Sequence, residues 1–204
     1  MKALALVSGG FDSPVAVWKM QQQGVEVIGI HFSYEPITDN APEMKVRAAC
    51  RILGIKKLIV MRAGTCFADL ASQCDHRLYY VLGKRLMMRW AEVIAKREGC
   101  DCLITGENLA QVGSQTLQNL MVIDAAASLQ VIRPLLCYDK VEIIDLAKKI
   151  GTYEISKGPE VCDCLGPVHP ATSSRLEQVE EEEKKIDWNV LWAKAEERVW
   201  QEGL

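Results

Sequence analysis

The stretch Ala3-Leu4-Ala5-Leu6-Val7, followed at once by Ser8-Gly9-Gly10-Phe11-Asp12-Ser13 and then Pro14-Val15-Ala16-Val17-Trp18, limits the fold more than any other part of the chain. The five apolar residues read as a buried strand. Pro14 suits the first turn of a helix, where its missing N–H costs nothing. Between them lies a two-glycine turn, in which the backbone can bend sharply and approach a ligand closely. A strand, a tight turn and a helix N-terminus make an anion site, because the first helical amides are unpaired and carry about +0.5 of an elementary charge. Ser8 and Ser13 add hydroxyl donors, and Leu6 and Val7 end the strand at the same place. A Walker loop is excluded: it needs Ser or Thr after Gly-Lys, and Gly83-Lys84 is followed by Arg85.

The alternation continues along the chain. Strand-like apolar runs fall at 4–7, 25–30, 58–60, 102–105 and 130–132, and helix-like stretches at 14–23, 42–53, 77–98, 109–121 and 141–150. This order, with near-continuous apolar strands, predicts an α/β, Rossmann-like fold: an open parallel sheet with helices on both faces. Right-handed crossovers bring the strand C-terminal ends to one edge, where such sheets bind ligands. The turn at 8–13, His31-Phe32 and Thr105-Gly106-Glu107 all follow strand ends, so they should meet in one cleft.

The 204 residues, 49% of them hydrophobic, suit one ordinary domain with a short appendage. We expect that domain over 1–172 and a C-terminal helical extension over 173–204. The extension holds nine acidic residues against five basic ones, so the net charge of −3 resides there and the body is near neutral. Ser173-Ser174 should cap a helix running to Lys185. Trp188, Leu191, Trp192, Ala195 and Val199 then mark an apolar helical face. Packing on the chain's own body is the preferred reading of that face, and a homodimer contact the alternative. No run suits a membrane span, and no secretory signal precedes the first strand. Eight cysteines here read as reduced thiols in a cytoplasmic protein.

The spelling S-G-G-x-D-S resembles the loop of the PP-loop ATP pyrophosphatases, which have an adenine nucleotide alpha hydrolase-like fold. Its continuation S-G-G-x-D-S-P-V-A resembles their 4-thiouridine synthetase branch, the tRNA sulfurtransferases. Thr105-Gly106-Glu107 through Gln115-Thr116 resembles T-G-E-x-x-x-Q-V-x-S-Q-T. Lys84-Arg85 before Leu86-Met87-Met88, Arg133-Pro134-Leu135 before Asp139-Lys140-Val141-Glu142, and Gly151-Thr152-Tyr153 extend the likeness, which covers about residues 4 to 172. It implies cleavage of ATP between the α- and β-phosphates, adenylation of a substrate oxygen and displacement of AMP by sulfur. It implies that Leu6, Val7, Ser8, Gly9, Gly10, Ser13, His31, Phe32, Lys84, Gly106 and Gln115 bind ATP, with His31-Phe32 on the adenine side and Gly106 permitting close approach of the nucleotide. Taken alone, His31-Phe32 would read as core packing and Lys84 as part of a solvated basic face.

Asp12 stands where a carboxylate would repel phosphates unless a hard cation such as Mg2+ lies between them. The alternative is a helix-terminal aspartate stabilised by the dipole. Lys140, at a helix start, could stabilise charge at the α-phosphate as pyrophosphate leaves. By resemblance, a cysteine near 162 receives sulfur as a persulfide. Cys162 and Cys164 bracket that place, and the residues do not choose between them or exclude a bystander pair. Thiols in apolar stretches, Cys50 and Cys137 among them, should be hidden. Some thiolation enzymes of this fold hold an iron–sulfur cluster with a C-x-x-C and a third cysteine. No C-x-x-C occurs here, and Cys74 with Cys162 and Cys164 is the remaining ligand set. The implied partners are ATP, a sulfur donor such as a cysteine desulfurase, and tRNA. The chain starts at the first catalytic strand, without the family's THUMP region, so either a separate RNA-binding protein should grip tRNA or the acceptor is not tRNA. An amidating pyrophosphatase and a non-catalytic ATP-binding module are the competing functions.

Overall fold

The computed structural model describes residues 1–109, 115–158 and 164–201. Six strands form one sheet: β1 (Lys2–Leu6), β2 (Glu26–Ser33), β3 (Lys57–Arg62), β4 (Cys102–Ile104), β5 (Val131–Ile132) and β6 (Glu196–Gln201). Their order is β5-β4-β1-β2-β3-β6. The first five pair in parallel, and β6 pairs antiparallel with β3. The chain winds outward from β1 to β3 and then crosses back to lay β4 on the other side of β1. The crevice at such a reversal is where open α/β sheets bind ligands.

The two-residue period of a strand explains both covered faces. Ala3, Ala5 and Val7 pack on one face with Val15, Val46 and Ile143, under α1 (Asp12–Gln21), α2 (Ala41–Ile52) and α6 (Lys140–Ile150). Leu4, Ile28 and Ile30 pack on the other, under α3 (Gly64–Gln73), α4 (Tyr79–Glu98) and α5 (Leu117–Asp124). Each fully buried Leu, Ile or Phe contributes about 1.5–3 kcal/mol. The short helix α7 (Tyr153–Ser156) follows α6, and α8 (Leu176–Glu183) and α9 (Trp188–Lys194) come from the tail.

The tail packs on the body, as the preferred reading had it. Arg85, fully buried on α4, donates from Nε to Glu183 Oε1 at 2.7 Å and from Nη2 to Oε2 at 2.8 Å. Its Nη1 donates to the Val122 carbonyl at 2.5 Å, and Arg89 adds a bond to Glu183 Oε2 at 2.9 Å. Bidentate geometry of this kind is what offsets the cost of burying two charges. Trp192 meets Trp90 edge to face, ring centroids 5.3 Å apart.

Five features depart from expectation. The sheet is mixed, because β6 runs antiparallel at its edge. The helical face drawn through Val199 stops at Lys194: Ala195 turns extended (φ −75°, ψ 139°), and β6 follows, crossing into the sheet of the body. Arg97 grips Glu197 with two bonds of 2.9 and 2.6 Å, and Arg62 holds Glu196 at 2.7 Å, so ion pairs fix a strand that has no continuous apolar face. Ser173 and Ser174 do not cap a helix; α8 starts after Arg175 with no side-chain cap. The helix expected over 109–121 has its described part in α5, where the Thr116 hydroxyl accepts from the Asn119 N–H, while 110–114 lie outside the described residues. Helix α3 was not anticipated.

Candidate active site

The loop after β1 is tied by its two serines. The Ser8 N–H donates to Ser13 Oγ at 2.8 Å, the Gly10 N–H to Ser8 Oγ at 3.3 Å, and the Ser13 hydroxyl to the Ser8 carbonyl at 3.3 Å. Neither serine caps α1, which begins at Asp12 with no side-chain cap, so its first amides keep their anion-binding capacity. Behind the loop, the Ser156 hydroxyl donates to the Gly10 carbonyl at 3.3 Å, and Tyr153 stacks on Phe11 at 5.4 Å. Helix α7 thereby buttresses the turn.

The glycines act through space rather than through a left-handed turn. A Cβ on Gly9 would lie 3.3 Å from Lys45 Cδ, and Gly9 is outside the positive-φ region. A Cβ on Gly106 would lie 2.6 Å from Ser13 N, 2.7 Å from Ser13 Cα and 2.8 Å from the Asp12 carbonyl carbon. Gly106 therefore admits the start of α1 against the end of β4. The expected close approach at this glycine is made by the protein's own backbone.

Beside the loop opens a cavity of about 390 Å3. Leu6, Val7, Ser8, Gly9, Gly10, His31 and Phe32 line it, as the strand-end argument required. Tyr34, Thr38 and Asp39 from the β2–α2 connection, Pro42 and Lys45 from α2, and Met87 from α4 complete the wall and were missed. Only Met87 carried a signal, since it lies in the same basic-then-methionine segment as Lys84. His31 is buried, and its Nδ1 lies 2.9 Å from the Val7 carbonyl. Burial lowers its pKa against the opposing pull of that carbonyl, so the ring is neutral. Nδ1–H then donates to Val7, and Nε2 is left as a buried acceptor with no partner among the described residues.

Apart from the cysteines, six expected site residues lie outside the cavity wall. Lys140 Nζ donates to Asp12 Oδ1 at 2.9 Å, in a half-exposed pair that a ligand can rearrange cheaply. Lys84 Nζ donates to Glu107 Oε1 at 2.7 Å. Glu107 is a buried hub: Arg133 Nε donates to its Oε2 at 2.8 Å, the Thr105 hydroxyl donates to the same oxygen at 3.1 Å, and Arg133 also grips Asp124. Burial pushes the Glu107 carboxyl up, but the charges and hydrogen bonds of Lys84 and Arg133 bring it below the usual carboxylate range. Gln115 Oε1 accepts from the Asn108 N–H at 3.4 Å. Gly106 and Ser13 hold the loop from behind.

Cys164 is exposed, and Cys162 lies outside the described residues. Cys137, expected to be hidden, is exposed too, because it sits in the connection between β5 and α6. Burial raises the thiols of Cys66 and Cys102, and pushes those of Cys74 and Cys100 up to about 11. Cys74 Sγ is spent on the Glu182 carbonyl. Among the described residues no three His, Cys, Asp or Glu side chains converge for a metal ion, and the cluster ligand set of Cys74, Cys162 and Cys164 falls partly outside them. Nor, among them, is any helix long and apolar enough to cross a membrane.

Comparison with known proteins follows the same line. The family model described as "Thiamine biosynthesis protein (ThiI)" matches residues 1–188. A probable tRNA sulfurtransferase of Caldanaerobacter subterraneus subsp. tengcongensis is 43% identical, over 97% of this chain and 54% of its own length. One of Alkaliphilus metalliredigens is 42% identical, over 91% and 49%. A crystal structure of a 4-thiouridine synthetase–RNA complex with bound ATP matches with a TM-score of 0.90 at 35% identity, over 98% of this chain and 55% of that one. The chain thus spans about half the length of the relatives it matches. With a family match over nearly its whole length and the strand–turn–helix loop at the reversal of its sheet, the chain belongs to the ThiI family.

Proposed function

We propose that this chain is the ATP-cleaving, sulfur-transferring part of a tRNA 4-thiouridine synthetase. The observation that carries the reading is the cavity beside the Ser8–Gly10 backbone, lined by the neutral, buried His31, whose Nε2 has no partner among the described residues. A volume near 390 Å3 suits a compact ligand. Its apolar end, with Leu6, Phe32 and Met87, accepts a purine beside the buried His31. Its polar end directs phosphates to the loop amides and the start of α1. Lys84 acts from the hub at Glu107, and Gly106, Ser13 and Gln115 set the loop and the segment after β4.

ATP carries its own need for a hard cation. Asp12, at the loop mouth, is the residue that would hold Mg2+, which supplies charge neutralisation between carboxylate and phosphate oxygens. Lys140, now on Asp12, is within reach to stabilise charge at the α-phosphate. The uridine O4 attacks the α-phosphorus, the bond to the bridging oxygen breaks, and pyrophosphate leaves. The outer sulfur of a persulfide on Cys162 or Cys164 then attacks C4 and AMP departs, leaving that sulfur bridging C4 and the cysteine. The thiolate of the other cysteine attacks the bridged cysteine Sγ, the S–S bond breaks with 4-thiouridine as leaving group, and the resulting disulfide is reduced by an external thiol. The sulfur donor is a desulfurase-type protein. RNA is gripped by a region or partner beyond these residues. A cytoplasmic location fits this reading. Residues 1–172 carry the chemistry, while α8 and α9 of the tail brace the body and β6 edges the sheet.

The test is mass spectrometry of tRNA from cells with and without the protein. 4-Thiouridine should disappear on deletion and return with the wild type but not with Asp12→Ala. Unchanged 4-thiouridine on deletion refutes the reading.

A further inference from the structure

We infer that Lys45 is a further phosphate-binding residue, and that it links the nucleotide phosphates to the backbone at Lys157 and Gly158. The inference rests on the cavity being an ATP site. Lys45 enters from α2, an element without a recognisable motif, and its side chain lines the cavity. Its stem lies against the loop: a Cβ on Gly9 would be 3.3 Å from its Cδ and 3.5 Å from its Cβ. Its ammonium donates to the Lys157 carbonyl at 2.8 Å, and a Cβ on Gly158 would lie 3.3 Å from Nζ.

The other two lysines expected near the nucleotide are paired with carboxylates, Lys84 with Glu107 and Lys140 with Asp12. Lys45 has no carboxylate partner among the described residues. A carbonyl satisfies one of its three N–H donors without cancelling its charge. The stem passes beside Gly9, where the loop amides would hold a polyphosphate, and the ammonium at its end keeps two further donors. Charge-assisted bonds between an ammonium and phosphate oxygens are short and strong, and a partly enclosed cavity strengthens them. With phosphate on one side and the Lys157 carbonyl on the other, a single ammonium would hold both. Lys157–Gly158 leads directly into the segment that carries Cys162, so nucleotide occupancy would be transmitted to the sulfur-bearing part of the chain.

The test uses the whole chain and three ligands. ATP with Mg2+, ADP with Mg2+, and adenosine are titrated calorimetrically into the wild type, Lys45→Met and Lys45→Arg. Loss of one charge-assisted bond should weaken ATP and ADP about tenfold or more in Lys45→Met. Adenosine should bind unchanged, and Lys45→Arg should recover most of the affinity. In parallel, tryptic cleavage after Lys157 should be slowed by ATP in the wild type and be indifferent to ATP in Lys45→Met. ATP affinity in Lys45→Met within about twofold of wild type overturns the phosphate role. Equal weakening of ATP and adenosine overturns it as well, since a phosphate contact cannot act on adenosine. Wild-type cleavage after Lys157 that ignores ATP overturns the link. Failure of the wild type to bind ATP at all refutes the nucleotide site itself, and the inference falls with it.

Discussion

Substituting Gly106→Ala probes how the loop is held without touching a phosphate. The new Cβ would stand 2.6 to 2.8 Å from three backbone atoms of Asp12 and Ser13, where ordinary contact begins near 3.4 Å. No flexible side chain can yield, so the start of α1 must retreat by about 0.7 Å. Forced repacking of this kind costs about 1–3 kcal/mol. The retreat carries Ser13 Oγ, which accepts from the Ser8 N–H, and so drags the loop amides with it. Amides displaced by that much lose most of a bond to a phosphate oxygen, which should weaken ATP about tenfold. Urea denaturation and ATP calorimetry read the two effects on one sample. Gly83→Ala is the control: its Cβ would meet the Phe67 ring at 3.6 Å, an ordinary contact, and a mid-helix Ala should stabilise α4 by up to about 1 kcal/mol. Gly106→Ala with wild-type stability and wild-type ATP affinity would refute the reasoning.

Three further outcomes are expected. Glu183→Gln removes the charge that Arg85 needs in the core and should destabilise by about 3–5 kcal/mol, read from the urea midpoint. Native alkylation with peptide mapping should label Cys137 and Cys164 well before Cys66, Cys74, Cys100 or Cys102, whose thiols burial raises and hides. The folded Glu107 carboxyl lies below its unfolded value, so its stabilisation is present above about pH 4.3 and is lost as pH falls through the folded value. Urea midpoints measured down through that window should therefore fall less steeply in Glu107→Gln than in the wild type.

The parallel strands were legible because burial on both faces leaves short, nearly unbroken apolar runs, and the glycine turn fixed the direction of the first crossover. Helix α3 was not legible: its sequence GTCFADLASQ opens on glycine and has no strong helix-start signal. The tail misled for a physical reason. Five apolar residues at helical spacing fit a helix on paper, yet β6 is an edge strand whose order comes from Arg62, Arg97 and the β3 ladder, contacts distant in sequence. The same distinction runs through the site. Residues in the turn at 8–13 and at His31-Phe32 announced themselves through motif and strand ends. Tyr34, Thr38, Asp39 and Lys45 reach the cavity from a connection and a helix with no special residues, so only the fold reveals them. Gly106 was recognised as a close-approach glycine, but which group approaches could not be read without coordinates.

The central claim, that the cavity is a nucleotide site lined by a neutral His31, is open to one direct measurement. The chain has three histidines, so nitrogen-15 labelled histidine gives three resolvable rings by NMR. Near pH 7 the free protein should show His31 neutral, protonated on Nδ1, with Nε2 as a bare acceptor. Titration with ATP and Mg2+ should move the His31 Nε2 resonance, saturating at one equivalent, while His76 and His169 change little. A charged His31 in the free protein, or a His31 signal that ignores ATP, would contradict the account.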